Sequence, residues 1–256
     1  SFPDVLFQSG PVQETAINNV LDAINLAATD DDIKIIVLDL DELSYASSAQ
    51  VLRLGAALEA FKERGKEVIA YEEYFQQFQY HIASYATELY MHPMGQALLS
   101  GYGGNNLYFR EMLEKLSVNV HVFRVGGFKS AVEPFTRDDM SEEAKLANQT
   151  LYNGLWRYLV EDIADNRQLP VADIEAYSQQ FSLLLEKASG DMARTTLEAK
   201  LVDELLTRDQ IRARIADKVG WLEENERLNA IGMDNYLRLR QALPAIPGDN
   251  QIAVLV

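Results

Sequence analysis

Residues 33–40 read IKIIVLDL, a nearly continuous apolar run that is rich in β-branched side chains. Such a run is typical of a strand that is buried on both faces, as strands of parallel sheets are. A second run of this kind, residues 67–71 (EVIAY), follows a helical pattern that Ser47 or Ser48 begins and Gly65 ends. The order helix, strand, helix, strand predicts right-handed crossovers and therefore a mostly parallel α/β sheet with flanking helices.

The same reading extends along the chain in both directions. Helical spacing of apolar residues begins at Val12, and further elements are expected before residue 126: helices at 75–85 and 105–116, and strands at 88–91, 97–100 and 118–125. After residue 140 the pattern is helical, with Ser141 as the expected N-cap of a helix that runs to about Asn166. Shorter helices are predicted up to residue 241, which makes the C-terminal portion helical.

The positions of proline and glycine residues predict where the chain divides into domains and linkers. Residues 1–11 are expected to be disordered or a linker, 12–140 to form an α/β core, 141–243 to be a helical extension of the same repeat, and 244–256 to be a linker and the first strand of a missing second repeat. The last of these rests on the apolar run QIAVLV at residues 251–256, which begins a buried-type strand without its crossover.

Composition excludes several classes of function. The 256 residues carry 23 basic and 39 acidic side chains, and a formal net charge of −16 argues against nucleic acid and anionic membrane surfaces as partners. There is no cysteine, and no run of 18 apolar residues that would span a bilayer. The histidines His81, His92 and His121 lack metal-ligand spacing, so we expect neither a metal nor another cofactor.

The candidate for chemistry lies in residues 121–140, which read HVFRVGGFKSAVEPFTRDDM. Two glycines free the backbone for a sharp turn, and Lys129 follows between Phe128 and the small apolar pair Ala131-Val132. Desolvation in such a setting lowers the pKa of a lysine, and only a neutral lysine serves as a base or a nucleophile. A P-loop is excluded, because that motif needs glycine directly before the lysine, where this chain has Phe128.

The runs RVGGFKSAVEPF at 124–135 and RDDMS at 137–141 resemble the lysine-bearing segment of the signal peptide peptidase A family. These are membrane-bound serine–lysine peptidases of the bacterial cell envelope with a Clp protease/crotonase-like fold. The resemblance covers most of residues 12–256 and corresponds to the N-terminal repeat of the long, two-repeat form. It implies that Lys129 is the general base of a Ser-Lys dyad.

The nucleophile of that family lies in a Ser-Gly-Gly-Tyr-like turn that opens a helix. The best counterpart here begins at Gln77, with Phe78 and Gln79 where the glycines would be. Glutamine cannot attack a carbonyl carbon, and without the glycines the tight turn that presents N–H groups as an oxyanion hole is lost. We therefore expect the serine in the second repeat, and we expect Ser84 and Ser100 to be structural.

The resemblance further implies an endopeptidase that degrades cleaved signal peptides, assembles as a homo-oligomer (a tetramer), and lies on the periplasmic side of the bacterial inner membrane. Its membrane anchor would lie upstream of Ser1. Two alternatives remain open. The first is a non-catalytic, degenerate repeat that serves oligomer assembly and formation of the substrate groove. The second is a crotonase-like acyl-CoA enzyme, for which the glycine-bearing oxyanion turn is not visible.

Overall fold

The computed structural model describes residues 15–123, 125–222, 227–242 and 252–255. These residues form two compact units. The first consists of Ser1–Leu98 and Gln180–Val256, and the second of Leu99–Gln179. The domain boundaries predicted after residues 140 and 243 stay predictions, and the linker predicted to begin at residue 244 lies outside the described residues.

The first unit is built on a parallel sheet. Its strands, together with those of a small antiparallel ribbon, are β1 (Ile33–Asp39), β2 (Glu67–Phe75), β3 (Glu88–Ala97), β4 (Glu204–Leu205), β5 (Trp221–Leu222), β6 (Arg227–Leu228), β7 (Ala230–Gly232) and β8 (Ile252–Leu255). Within the described residues the sheet has the order β4-β3-β2-β1-β8-β7, and every neighbouring pair is parallel. The remaining two strands, β5 and β6, pair antiparallel with each other. The predicted mostly parallel α/β fold is therefore confirmed.

Helices are divided between the two units. Those of the first unit are α1 (Ile17–Thr29), α2 (Ser48–Lys62), α3 (Gln77–Ala83), α8 (Phe181–Lys187), α9 (Met192–Glu198), α10 (Arg208–Val219) and α11 (Met233–Ala242). Those of the second unit are α4 (Arg110–Lys115), α5 (Glu133–Thr136), α6 (Glu142–Arg167) and α7 (Val171–Gln179). None of the helices in the described part of the chain combines the length and the apolar character that crossing a bilayer requires.

The core of the first unit lies on both faces of the sheet. On one face, α10 packs Ile211 and Ile215 against alternate strand residues such as Val37 and Ile69. The intervening strand residues, for example Ile36, are also fully buried. Burial on both faces explains why the strand run at residues 33–40 is apolar almost without interruption.

A buried carboxylate joins α11 to the end of α1. Asp30 is 8% exposed, and its Oδ2 accepts a hydrogen bond of 2.8 Å from the Tyr236 hydroxyl. The Arg240 guanidinium pairs with the same oxygen, and the backbone N–H of Asp32 donates to Oδ1. A charged group is tolerated at this depth because each carboxylate oxygen has a hydrogen-bond donor.

Several local predictions are confirmed. Ser47 caps α2 in a capping box, since its Oγ accepts from Gln50 N while Gln50 Oε1 accepts from Ser47 N at 2.8 Å. Ser141 caps α6, which extends to Arg167, one residue beyond the predicted end. Residues 252–255 of the C-terminal apolar run form the strand β8, which pairs with β1 and β7, whereas its assignment to a second repeat stays a prediction.

The strand predicted at residues 118–125 is wrong. The described residues of this range have no regular secondary structure, and Val118, Val120 and Val125 are exposed. β-branched residues favour strands only where neighbouring strands and a packed face are present, and here no strand pairs with this segment. The valines therefore have a local preference for extended backbone, but no strand forms among the described residues at this position in the tertiary structure.

Three other boundaries differ from the predictions. The two short strands expected at 88–91 and 97–100 are one strand, β3, whose pairing with β2 shifts register beyond Glu72, near Pro93. A proline is tolerated at such an irregular position because the hydrogen-bond ladder does not need the backbone N–H that proline lacks. The helix expected at 105–116 is confined to α4, and the helix expected at 75–85 begins only at Gln77 because β2 continues through Phe75.

The Tyr236–Asp30 contact predicts a pH dependence of stability. Burial raises the pKa of Tyr236 from 10.0 to about 12. The folded chain thus holds the phenolic proton more tightly than the unfolded chain, so this contribution to the free energy of unfolding is complete below pH 10 and is lost as the pH rises toward 12. Tyr236→Phe should lower the free energy of unfolding by about 1 kcal/mol at pH 8, the worth of one hydrogen bond.

The same substitution should make the alkaline loss of stability shallower between pH 10 and about 12. Urea unfolding at a series of pH values measures both effects. Tyr45→Phe, at a side chain that is 74% exposed, is the matched control and should leave the curve unchanged. Identical pH slopes for wild-type and Tyr236→Phe protein would contradict this account.

Candidate functional site

Lys129 lies in the second unit, in the loop between a turn at residues 126–128 and helix α5. Gly126 has a φ of +102°, in the left-handed region that glycine adopts without strain, which explains the glycine at this turn. The Lys129 side chain is exposed in this chain, and so are those of Phe128 (64%) and Val125 (86%). The expected shielding of Lys129 concerns the full assembly and stays a prediction.

Glu133 anchors the segment that carries Lys129. Its side chain is only 2% exposed, and its carboxylate accepts hydrogen bonds from the Ser141 backbone N–H at 3.1 Å and from the Ser141 hydroxyl. The same hydroxyl oxygen accepts from the Ala144 N–H at 3.3 Å, which caps α6. One buried carboxylate therefore connects α5, four residues after the lysine, to the first turn of the long helix α6.

Three further contacts hold α4 against α5 and the residues that follow it. The Phe109 N–H donates to the Pro134 carbonyl at 2.7 Å, and the Phe109 and Phe135 rings stack with centroids 6.3 Å apart. Arg110 Nε donates to Asp138 Oδ2 at 2.8 Å, and this hydrogen bond lowers the pKa of the Asp138 carboxyl. Because this ion pair is exposed, it contributes little stability, but it orients the residues after α5.

Four acidic residues lie at the start of α6, where carboxylates are usually solvated: Asp138, Asp139, Glu142 and Glu143. Glu142, with a side chain that is 86% exposed, fits that description and pairs with Lys145 at 2.7 Å. Asp138 instead pairs with Arg110, and Asp139 pairs with Arg137 at 2.7 Å. The charges of the RDDMS run are thus largely matched by arginines of the same segment and of α4.

The turn expected to correspond to the family's nucleophile position opens helix α3 of the first unit, with Gln77 as its first residue. Gln79, at one expected glycine position, is buried, and its Nε2 donates to the carbonyls of Leu40 at 2.8 Å and Leu43 at 3.0 Å. Its Oε1 accepts from the Gln76 N–H at 2.8 Å. Gln79 therefore fastens α3 to the loop after β1, a packing role that a glycine could not fill.

The serines near these elements differ in their burial and hydrogen bonds. The Ser84 hydroxyl donates to the His81 carbonyl at 2.7 Å and is fully buried. Ser130 uses its carbonyl to accept from the Glu133 N–H at 2.9 Å, and Ser100 is exposed in a segment without regular structure. The buried setting of Ser84 is incompatible with attack on a bound peptide.

The three histidines have different environments. His81 is buried and stacks beside Tyr85 with ring centroids 6.3 Å apart, whereas His121 is exposed. His92 accepts a hydrogen bond at Nδ1 from the Met94 N–H at 3.1 Å. Within the described ranges, no group of three or more His, Asp or Glu side chains is arranged to hold a metal ion.

Comparison with known families decides the classification. The model of peptidase family S49 matches residues 60–221, a range that includes both the α3 turn and the loop of Lys129. The chain belongs to peptidase family S49. Membership agrees with the resemblance of residues 124–141 to the signal peptide peptidase A family, and relatives of this chain are named Protease 4 and SPPA.

The sequence relatives are substantially longer than this S49 chain. Protease 4 of Salmonella typhi is 36% identical over 228 residues, which are 89% of this chain and 37% of that protein. Protease 4 of Haemophilus influenzae is 36% identical over 238 residues, 93% of this chain and 38% of that protein. The chloroplastic serine protease SPPA of Arabidopsis thaliana is 23% identical over 230 residues, 90% of this chain and 32% of that protein.

Among solved structures, an enoyl-CoA hydratase/isomerase family protein from Silicibacter pomeroyi matches 75% of this chain and 91% of its own. The sequence identity is 17% and the TM-score is 0.27. A likeness of this size carries no argument about the fold, which rests on the parallel sheet described above.

The Glu133–Ser141 contact predicts a strong energetic coupling. Glu133→Ala should lower the free energy of unfolding by about 1–3 kcal/mol, because it leaves two partly buried donors of Ser141 without this acceptor. Ser141→Ala should cost about 1 kcal/mol through the lost cap. The double variant should cost less than the sum by at least about 0.5 kcal/mol, since both changes remove the bond between the Ser141 hydroxyl and the Glu133 carboxylate.

Denaturant unfolding of the four proteins in this cycle measures the coupling. Glu142→Ala, which removes a neighbouring but exposed carboxylate, is the control and should change stability by less than about 0.5 kcal/mol. Strict additivity of Glu133→Ala and Ser141→Ala would contradict the proposed anchor.

Proposed function

We propose that this chain is the N-terminal half of a serine endopeptidase of family S49, in which Lys129 is the general base of a Ser-Lys dyad. One observation carries the proposal: the family match at residues 60–221 contains the uninterrupted segment around Lys129 that resembles the family's lysine-bearing segment. The nucleophilic serine would come from a second repeat of the full-length protein. The fact that the chain spans 37% of the Salmonella relative supports this division.

The mechanism would be acyl transfer in two stages, in each of which one amine accepts a proton and then donates it. Neutral Lys129 Nζ accepts the hydroxyl proton of the serine as its oxygen attacks the scissile carbonyl carbon, and the resulting ammonium gives that proton to the leaving amine. Lys129 then accepts a proton from water as the water oxygen attacks the acyl-enzyme ester, and it returns that proton to the serine oxygen as the second product leaves. The lysine ends in its starting state, so no cofactor is needed.

A lysine base works at neutral pH only if its ammonium form is disfavoured. In this chain the side chains of Phe123, Val125 and Phe128 are 99%, 86% and 64% exposed. Large exposed apolar side chains next to one another are typical of a surface that another protein surface covers. We therefore place a second repeat, of the same protomer or of a neighbour in a homotetramer, over this segment, where it would desolvate Lys129.

The substrates would be remnant signal peptides, cleaved on the periplasmic side of the bacterial inner membrane. The support is the resemblance to signal peptide peptidase A and the names Protease 4 and SPPA that the relatives carry. A membrane anchor would lie upstream of Ser1.

A second candidate function is a non-catalytic repeat that only builds the assembly and the substrate groove. The packing role of Gln79 and the complete burial of Ser84 favour it, because side chains at the expected nucleophile turn of the first unit make hydrogen bonds that stabilise the fold. The two candidates differ in one respect that can be measured, namely whether turnover depends on Lys129.

Substitution of Lys129 in the full-length protein tests the proposal. Lys129→Ala should lower kcat/KM for peptide hydrolysis by about 10²–10⁴-fold, the usual contribution of a general base. Lys129→Arg should fail equally, since a guanidinium stays protonated. Both should leave the unfolding midpoint unchanged, because the side chain is exposed in a loop. This chain alone should hydrolyse no peptide.

Lys145→Ala is the matched control, since Lys145 is an exposed lysine of the same unit that pairs with Glu142. It should retain full activity, and so should Ser100→Ala. Full activity of Lys129→Ala would overturn the assignment of the base and would favour the non-catalytic repeat.

A further inference from the structure

The first unit contains a cavity of about 360 Å³ between the sheet and helix α10. Most of its wall is apolar, with Val37 from β1, Ile211 and Ile215 from α10, and Leu228 from β6. Sites for small molecules in proteins begin at about 300 Å³ and combine apolar walls with a few convergent polar groups. The volume and the wall therefore suit a small ligand with an apolar body.

Three guanidinium groups line the same cavity. Arg208 and Arg212 belong to α10, and Arg227 belongs to β6. Asp39 is the carboxylate among the lining residues, so positive charge exceeds negative charge here although the whole chain has a net charge of −16. A local excess of cations in an acidic protein favours an anionic ligand at this position.

The three arginines differ in their contacts. Arg208 is engaged with Asp41 at 3.6 Å. In the part of the chain that the structure describes, neither Arg212 nor Arg227 pairs with a carboxylate, and Arg212 instead lies 5.9 Å from the centroid of the Trp221 ring. Guanidinium groups without a carboxylate partner can bind a carboxylate through two parallel hydrogen bonds.

Tyr71 supplies an independent observation. It lines the cavity and is 7% exposed, and its hydroxyl makes no close hydrogen bond among the described residues, although the neighbouring Arg208 guanidinium, 6.0 Å from the Tyr71 ring centroid, acts on it. Buried hydroxyl groups are almost always paired, because desolvation without a partner costs free energy. Burial also raises the pKa of Tyr71, so the group remains a donor at neutral pH. An acceptor atom of a ligand would satisfy it.

We propose that this cavity binds a small monocarboxylate with an apolar body. The carboxylate would lie among Arg212, Arg227 and the Tyr71 hydroxyl, and the body would pack against the apolar wall. A medium-chain fatty acid and the free C-terminus of a short apolar peptide share this chemistry. The proposal does not depend on the peptidase mechanism, since the cavity lies in the first unit and Lys129 in the second.

Titration calorimetry on this chain tests the proposal with four probes. Octanoate and N-acetyl-leucyl-leucine carry a carboxylate on an apolar body, whereas 1-octanol and N-acetyl-leucyl-leucinamide are their uncharged counterparts. At least one carboxylate should bind saturably with one site per chain, and its uncharged counterpart should bind at least about tenfold more weakly, a difference of 1.4 kcal/mol. Binding of octanoate alone identifies a fatty acid, and binding of the dipeptide alone identifies a peptide terminus.

Variants localise the binding. Arg212→Gln and Arg227→Gln should each weaken the bound carboxylate about tenfold, and raising the salt concentration should weaken binding to wild-type protein. Ala230→Leu should abolish binding, because the added methyl groups fill the cavity that Ala230 lines. Arg194→Gln is the control, since that exposed arginine pairs with Glu198 on α9, away from the cavity lining, and should not alter binding.

Unfolding midpoints of the variants verify that each remains folded. Absence of binding by both carboxylates, equal affinity for the uncharged counterparts, or unchanged affinity in both arginine variants would each overturn the proposal.

Discussion

The buried Glu133 carboxylate is the interaction on which the candidate site depends. It accepts from both the N–H and the hydroxyl of Ser141, and so it joins the lysine-bearing loop to a helix of 26 residues. A loop without regular structure would otherwise leave Lys129 without a fixed position, and catalysis by a general base requires a fixed position. The anchor lies four residues from the lysine and leaves the lysine itself exposed.

The two positions that the proposed mechanism requires differ between the two units of the chain. In the second unit, the lysine segment is retained and its exposed apolar neighbours are suited to being covered. In the first unit, the helix that would carry the nucleophile begins with Gln77 and is fastened by Gln79, while Ser84 is fully buried. A chain of this kind can supply a base to a serine located elsewhere, because the exposed loop can be completed by a second surface.

The sequence predicted those elements whose signals are local. Strand β1 follows from an apolar run, and α2 and α6 follow from the caps Ser47 and Ser141. The valines at 118–125 misled the prediction, because β-branched residues need a neighbouring strand that only the tertiary structure supplies. The role of Glu133 was also missed, since nothing local distinguishes a buried carboxylate from a solvated one.

The cavity between the sheet and helix α10 could not be predicted from the sequence, for a related reason. Its arginines lie on α10 and β6, and Tyr71 lies on β2, more than a hundred residues earlier in the chain. Only the packing of α10 against the sheet brings them together. The lysine segment could be recognised because its residues are contiguous, whereas the cavity is assembled from distant positions.

The central claim, that this chain contributes the base and not the nucleophile, is tested most directly by locating the reactive serine. The full-length protein would be labelled with a serine-reactive fluorophosphonate and the adduct located by peptide mapping. The account predicts an adduct on a serine outside residues 1–256, and loss of that adduct in Lys129→Ala. An adduct on any serine within residues 1–256 would contradict it.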